Sequence, residues 1–461
     1  MKTDDTICAL ATAAGQGAIA VIRVSGKKAI AATEKVFRSV SGKSLKEQTS
    51  HTIQLGAVFD KKQVIDDVLV SVFKAPNSYT GDDSVEISCH GSDYICSRIL
   101  QLLADNGCRP ADPGEFTYRA FMNGKLDLTQ AEAVADLVQS GSEAAHKVAI
   151  RQLRGGFSSD IKKLRDELIN FASLLELELD FSEEDVEFAN RAELKKLLRK
   201  IKSHISRLLE SYKVGNVLRS GIPVTIIGEP NVGKSTLLNA LLNDDRAIVS
   251  EIPGTTRDTI EDTFIHKGVN FRFIDTAGLR ETKDIIEDLG INKTFEKINQ
   301  ASIILYMFDV SGSSLEDLEL GIQKLRDRLD DPDKIIIIIA NKIDLMMKIP
   351  RGFKDFLEME TIFISAKRKE NLGQILEALI RAVNIDDIGD KTLVCNTRHY
   401  LSLSMAYESL LNAEEGIRKK RTTDLIAADA REVLLHLASI TGEIATEDLL
   451  KEIFGRFCIG K

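Results

Sequence analysis

Gly228-Glu229-Pro230-Asn231-Val232-Gly233-Lys234-Ser235 lies between an apolar strand, Val224–Ile227, and a helix that starts near Ser235. A loop flanked by glycines can wrap its backbone N–H groups around phosphates, because no Cβ holds them away, and the helix N-terminus adds positive potential. Lys234 can reach the outer phosphates, and Ser235 can offer its hydroxyl to magnesium. The segment Asn231, Val232, Gly233, Lys234, Ser235 and Thr236 therefore reads as a nucleoside-triphosphate cradle. An ordinary glycine turn needs neither the strand before it nor the helix after it.

Three more segments follow in the order that a guanine-nucleotide domain requires. After the strand Phe271–Ile274 comes Asp275-Thr276-Ala277-Gly278. Its carboxylate can hold magnesium through water, and its glycine amide can meet the γ-phosphate. The apolar run Ile335–Ala340 leads into Asn341-Lys342-Ile343-Asp344. Asp344 offers two acceptor oxygens to the N1–H and N2–H₂ donors of guanine; adenine has no such pair, so buried mismatch rejects ATP. Asn341 can tie this loop to the phosphate loop or reach the base edge. The strand Thr361–Ile364 delivers Ser365-Ala366-Lys367, whose backbone amides can face guanine O6. Residues 217–384 thus resemble the GTPase superfamily, which implies a mainly parallel sheet flanked by helices. Within Pro253-Gly254-Thr255-Thr256-Arg257-Asp258, Thr256 fits the switch threonine that completes the magnesium shell.

Leu279 stands where many regulatory GTPases carry a glutamine that orients the attacking water, and an aliphatic side chain cannot do that. Either GTP is hydrolysed poorly, or another group positions water and an added positive charge neutralises the transition state; the sequence favours the second. Asn231 has a side-chain oxygen in the phosphate loop, and Ser250–Thr255 offers several more. Such a ring of neutral oxygens suits a potassium ion in the place where other GTPases receive an arginine finger. Glu287, eight residues beyond Leu279, is the candidate water-positioning carboxylate; the bland alternative is a solvated helix face.

At 461 residues the chain has room for two to four domains. Hydrophobic content of 43% with 28% charged residues is that of an ordinary globular protein. The start, Met1-Lys2-Thr3-Asp4-Asp5, has no signal-peptide character and no apolar run reaches membrane-spanning length, so no membrane association and a cytoplasmic location are expected. The six cysteines show no zinc spacing and read mostly as small buried hydrophobes. A net charge of -9 argues against general nucleic-acid binding. The basic stretches Lys195–Lys202 and Arg418–Arg421, and the acidic Glu176–Glu187, read as solvated helix faces or ends. Residues 1–120 read as α+β, with strands around Ile19–Val24, Asp67–Phe73 and Ser84–Cys89 and helices near Lys28–Phe37 and Asp93–Asp105. Helical spacing runs from Leu126 to Tyr212, broken most clearly at Gly155-Gly156, and returns from His399. That pattern is an all-α domain split by an inserted α/β domain.

In Phe457-Cys458-Ile459-Gly460-Lys461 the cysteine makes a poor prenylation site, because Gly460 is not aliphatic. A buried structural thiol and a reactive thiol, its thiolate favoured by Lys461, both stay open on the residues alone.

The chain as a whole resembles the MnmE (TrmE) tRNA-modification GTPase family. The resemblance rests on Arg23-Val24-Ser25-Gly26, Tyr79-Thr80-Gly81, Cys89-His90-Gly91, Pro113-Gly114-Glu115-Phe116, Lys125-Leu126-Asp127-Leu128-Thr129-Gln130-Ala131-Glu132 and Cys458-Ile459-Gly460-Lys461. It implies a multidomain chain: an α+β folate-binding and dimerisation domain at 1–122, an all-α helical domain in two parts at 123–216 and 385–461, and an inserted α/β GTPase domain at 217–384. It implies that Arg23, Glu86, Lys125 and Lys461 approach a tetrahydrofolate derivative, 5-formyl- or 5,10-methylene-tetrahydrofolate. Folate has carboxylates for Arg or Lys and pterin N–H groups for a carboxylate. Potassium ligation is implied for Asn231, Ser250, Ile252 and Thr255, and magnesium ligation for Ser235 and Thr256. Glu287 matches the family's catalytic glutamate and Cys458 its terminal cysteine.

The implied activity is a potassium-activated GTPase, working as a homodimer. With a flavin-dependent partner of the MnmG/GidA family, in a heterotetramer, it adds an aminomethyl or carboxymethylaminomethyl group to C5 of the wobble uridine, U34, of certain tRNAs. Departures from the family pattern, at Ala13-Ala14, Asp82-Asp83 and Ser92, touch loop details. A ribosome-assembly switch of the Era or Der kind shares the GTPase motifs but calls for a basic RNA-binding module or a second GTPase domain. A septin- or dynamin-like scaffold calls for basic lipid-facing helices. The sequence has neither.

Overall fold

The computed structural model describes residues 4–180, 191–243, 248–249, 262–274, 298–327, 329, 331, 334–346, 361–383, 392–419 and 421–461. For 174–180, 191–194 and 248–249 it describes the backbone alone, so the acidic side chains of Glu176–Glu187 lie outside the described residues. Two compact units result: Met1–Val138 with Gln152–Ile201 and Met405–Lys461, and Gln139–Arg151 with Lys202–Ser404.

The first unit is organised on seven strands: β1 Thr6–Leu10, β2 Gly17–Ser25, β3 Phe37–Ser39, β4 Thr52–Asp60, β5 Gln63–Phe73, β6 Ser84–Gly91 and β7 Cys108–Pro110. They lie in the order β3-β4-β5-β6-β2-β1-β7, antiparallel except for β1 beside β7. Period-two patterning sets its two faces. Ala20, Ile22 and Val24 of β2 and Val68, Val70 and Val72 of β5 are buried, in one cluster with Ile30 of helix α1 (Ala29–Val36) and Ile99 of helix α2 (Asp93–Asp105). Ile7 and Ala9 of β1 pack the other way, against Phe116 of helix α3 (Glu115–Met122).

A partly buried ionic cluster ties β1, β7 and α3 together. Arg119, 1% exposed, donates to Asp5 Oδ1 (2.5 Å) and Glu115 Oε1 (2.9 Å). Arg109 donates to the same two carboxylates at 2.7 and 2.6 Å. Arg119 and Glu115, the two fully buried members, each face an opposite charge, so no buried charge stands uncompensated. The Arg109 hydrogen bond, ahead of burial acting the other way, holds the Asp5 carboxyl below its ordinary 3.8. A depressed carboxyl stabilises the fold above its unfolded value and loses that contribution as pH falls through the lower folded value. Wild type should therefore lose more stability than Asp5→Asn between pH 5 and the acid limit, as read by urea midpoints at each pH.

The motif from Lys125 to Glu132 is a helix start. Asp127 Oδ1 accepts from Gln130 N–H (3.0 Å), and Gln130 Oε1 accepts from Asp127 N–H (2.9 Å), a reciprocal capping box for the helix Leu128–Gln139. Gln130 Nε2 also donates to Leu153 O (3.0 Å), fixing the chain just before the break at Gly155. The helix Gly156–Asp180 then packs along Thr423–Thr441. Phe454 of the helix Glu447–Gly455 is fully buried among Tyr118, Phe121 and Phe457, with ring centroids at 5.3, 6.3 and 5.4 Å. Phe454→Ala should cost about 3–5 kcal/mol by loss of transfer energy plus a cavity, measurable as a fall in the urea midpoint.

The second unit holds β8 Ile222–Ile227, β9 Ile248–Val249, β10 Asp262–His266, β11 Val269–Phe273, β12 Ile303–Asp309, β13 Ile335–Asn341 and β14 Thr361–Phe363, in the order β14-β13-β12-β8-β11-β10-β9. The five from β14 to β11 are parallel, and β10 is antiparallel to both neighbours. Both faces are covered, which explains the unbroken isoleucine run of β13. Ile337 and Ile339 join the cluster with helices Lys234–Leu242 and Leu372–Val383, while Ile338 and Ala340 join Leu318 and Ile322 of Leu315–Arg326. Residues 139–151 belong to this unit, where Ala144 N–H donates to Gly268 O at 3.0 Å. Among the described residues no helix is long and apolar enough to cross a membrane.

Candidate functional site

In a parallel sheet covered on both faces, ligands sit beyond the carboxyl ends of the strands. The loop after β8 is there. Gly228 has φ +152°, and a Cβ on it would lie 2.0 Å from Met307 O, so only glycine lets the loop turn so close to β12. Asn231 adopts the left-handed conformation at φ 62°, its residue exposed, and Val232 is buried beneath. Gly233 caps the helix Lys234–Leu242, on which Ser235 and Thr236 occupy the first turn. Lys234 Nζ lies across the loop, donating to Gly228 O (2.7 Å) and Glu229 O (2.8 Å). Burial lowers the pKa of its ammonium. The backbone and this cation form a cradle whose donors fit an anion.

The segments expected to read the base stand at the ends of β13 and β14. Asn341, buried, donates from Nδ2 to Val232 O (2.7 Å) and accepts at Oδ1 from Ala366 N–H (2.9 Å). It therefore acts as the tie between loops rather than as a group on the base edge. The Ala366 N–H, expected to face guanine O6, is used in that tie. Lys342 pairs with Asp309 at 2.6 Å. Asp344 accepts from Ser365 Oγ at 2.7 Å, and this bond holds its carboxyl below the ordinary value, leaving an ionised acceptor at neutral pH. Lys367 is exposed beside it. Ser250, Ile252, Thr255, Thr256, Asp275, Thr276, Ala277, Gly278 and Glu287 lie outside the described residues.

A second constellation belongs to the first unit. Arg23 and Glu86 are cross-strand partners on β2 and β6; Glu86 Oε1 accepts from Arg23 Nε (3.0 Å) and lies 2.9 Å from Nη2 in an ion pair. Tyr79 and Phe116 set ring centroids 5.2 and 5.6 Å from the guanidinium carbon, a cation–π setting. Tyr79 is in turn held by Thr117 Oγ1 (2.9 Å). Arg23 Nη1 donates to Gly460 O at 3.4 Å, and Phe116 N–H donates to Lys461 O at 3.2 Å. Lys125 Nζ donates to Pro76 O (3.0 Å), on the loop that carries Tyr79. Arg23 and Glu86 thus pair across the sheet beside the backbone of Gly460 and Lys461, with Lys125 at the neighbouring loop. Cys458 is exposed, which removes the buried-thiol reading, whereas the other five cysteines are buried. Tyr79 and Phe116 carry no chemical signal in the sequence beyond their motifs; only the fold puts their rings on Arg23. A cavity of about 360 Å³, lined by Leu10, Thr12, Ile19, Asp93 and Cys96 among others, lies between the β1–β2 turn and α2 and contains none of the expected site residues.

The sequence matches the GTP-binding protein TrmE N-terminus over residues 6–125 and the MnmE helical domain over 128–458. The tRNA modification GTPase MnmE of Flavobacterium johnsoniae is 52% identical over 470 residues, covering 100% of each chain. That of Bacteroides fragilis is 49% identical over 466 residues, covering 99% of each. The solved G domain of the T. maritima FeoB iron transporter aligns with 35% of this chain and 99% of its own at 26% identity, with a TM-score of 0.27, too low to bear on the fold. At this identity over the full length, the chain belongs to the MnmE (TrmE) family of tRNA modification GTPases and is a GTP hydrolase.

Proposed function

We propose that this GTPase is potassium-activated and, with a flavin-dependent partner of the MnmG/GidA family and a folate one-carbon unit, builds an aminomethyl-type group on C5 of U34 in certain tRNAs. One observation carries the reading: a guanine-type nucleotide pocket and a Cys458-Ile459-Gly460-Lys461 segment docked beside the Arg23–Glu86 pair occur in one chain. An assembly switch needs the first and has no use for the second.

GTP is held by the loop Asn231–Thr236, with Asp344 reading the base and Lys234 meeting the phosphates. Magnesium falls to Ser235 and Thr256, and to Asp275 through water. Potassium falls to Asn231, Ser250, Ile252 and Thr255, and Glu287 positions the water. The exposed left-handed Asn231 supports that share of the ion site. A tetrahydrofolate derivative is taken up around Arg23, Glu86, Lys125 and Lys461. In support, Glu86 Oε1 takes the Arg23 hydrogen bond and ion-pair contact, and Oε2 makes no hydrogen bond among the described residues and can accept pterin N–H groups. When bound, the folate supplies the one-carbon unit, and Cys458 is the thiol at hand. The domains follow the division 1–122, 123–216, 217–384 and 385–461, the protein works in the cytoplasm as a homodimer, and nucleotide-driven ordering of the switch segments couples hydrolysis to modification.

The test is GTP turnover in potassium against sodium for wild type and Glu287→Ala, with nucleotide binding recorded in parallel. Turnover that needs potassium, and is lost in the variant while binding persists, is the expected result. No ion preference would remove the mechanism and return the assembly-switch reading. In a second test, Cys458→Ser should abolish tRNA modification at normal protein levels; unchanged modification would sink the thiol's role.

A further inference from the structure

We infer that the tip of the β10–β11 hairpin is a nucleotide-sensing latch: it caps the helix Glu143–Leu153 in one nucleotide state and lets that cap go in the other. The inference deepens the reading that nucleotide-driven ordering couples hydrolysis to modification, and it does not depend on the folate site.

The hairpin joins the two segments expected to answer to the γ-phosphate. In sequence β10 follows Thr256, and β11 runs on into Asp275. Five residue pairs, from Asp262↔Phe273 to His266↔Val269, lock the strands in register, so a displacement of either reaches the turn Lys267-Gly268. Both turn residues are left-handed, at φ 48° and 77°, as a two-residue hairpin loop requires.

This turn finishes the start of a helix. Ser142 Oγ accepts from Ala145 N–H (3.2 Å), a cap that the helix supplies from its own chain. Ala144 N–H is another of the first N–H groups, which lack intrahelical acceptors, and it donates to Gly268 O at 3.0 Å. The approach is also sterically close. A Cβ on Gly268 would lie 3.0 Å from both Cβ and Oε2 of Glu143, which Lys147 holds at 2.7 Å. The helix starts in the second unit, and its last two residues, Gln152 and Leu153, belong to the first. There Gln152 Nε2 donates to Thr129 O (3.3 Å), and Leu153 O accepts from Gln130 (3.0 Å). One stiff element thus runs from the hairpin tip to the capping box at Asp127 and Gln130.

A second position of the tip is prepared on its other side. Lys267 Nζ pairs with Glu377 Oε2 at 2.7 Å. His266 is 8% exposed, and its buried Nε2 makes no hydrogen bond although Glu377 Oε1 is only 3.8 Å away. An unmade bond at a buried nitrogen costs stability, and a shift of about 1 Å toward the helix Leu372–Val383 would make it. Gly268 is two residues on, so the shift that satisfies His266 also moves the carbonyl that caps Ala144.

The experiment is amide exchange at Ala144 and Ala145 in the full-length protein, with GDP and with GDP plus aluminium fluoride in potassium chloride, for wild type, Gly268→Ala and His266→Leu. GTP turnover and tRNA modification are recorded beside it. In wild type the Ala144 rates in the two nucleotide states should differ about tenfold, while Ala145, capped by Ser142, holds steady. Gly268→Ala should exchange fast at Ala144 in both states, keep GTP turnover within about twofold and lower tRNA modification about tenfold, a loss typical of coupling between sites. His266→Leu, which leaves the turn intact, should narrow the nucleotide difference at Ala144. Equal Ala144 exchange in both states of wild type would overturn the latch. So would a folded Gly268→Ala protein that loses GTP turnover, since the tip would then support the nucleotide site itself. If wild type modifies no tRNA, the function proposed above fails by itself, and the Ala144 comparison still decides the latch.

Discussion

Lys234→Ala is expected to lower GTP turnover by about two to three orders of magnitude, the loss typical of removing one preorganised group that faces charge developing in the transition state. The cation sits over the phosphate cradle, held by Gly228 O and Glu229 O at 2.7 and 2.8 Å, and no other described cation has been placed on that loop by the fold. Those two carbonyls are weak competitors for an ammonium, so a polyphosphate takes it over without breaking an ion pair. Fold should survive, because Lys234 lies on the rim and not in the cluster of Leu237, Leu238 and Leu241. Phosphate release at saturating GTP checks the result; turnover within tenfold of wild type would mean that neutralisation comes from elsewhere.

The second large effect concerns the base. Asp344→Asn should cut GTP affinity by about four orders of magnitude, the scale on which a site built for donors rejects a ligand it can no longer pair. It should also admit XTP. The ionised carboxylate presents acceptors only, whereas asparagine turns one of them into an NH₂ donor that opposes guanine N2–H₂ and suits the carbonyl that xanthine carries there. Ser365 can still donate to the remaining oxygen, as it does to Asp344 at 2.7 Å, so the loop should keep its shape. Competition of GDP and XDP for the two proteins decides the matter. Retained preference for GDP would move base reading away from Asp344.

The described part of the expected nucleotide pocket, the loop after β8 and the ends of β13 and β14, was legible because its signals are local. A glycine-flanked loop, an apolar run and a polar terminus each fit in a dozen residues, and β8, β11, β13 and β14 stand where those signals lie. Much of the first unit was equally readable, since β2, β5 and β6 alternate in sequence. β1 and β7 were not, because Thr6–Leu10 and Cys108–Pro110 are short and pair with each other across a hundred residues. β4 escaped for another reason: Ile53 and Leu55 are exposed on it, so its apolar positions do not mark the buried face. The break before Glu143 was hidden in helical spacing that continues on both sides. Lys125 to Glu132 could be matched as a string, yet its physical content, a capping box at Asp127 and Gln130, needed only the rule for helix starts. The grip on Arg23 was beyond reach, because residues 23, 79, 86, 116 and 460 meet only through the register of the sheet and the return of the last helix.

Asn341 joins Val232 O to Ala366 N–H through a single amide, so one buried side chain spans the phosphate half and the base half of the pocket. A lesion at this one position therefore acts on both ends of the nucleotide at once, and should show itself first as a shorter residence time.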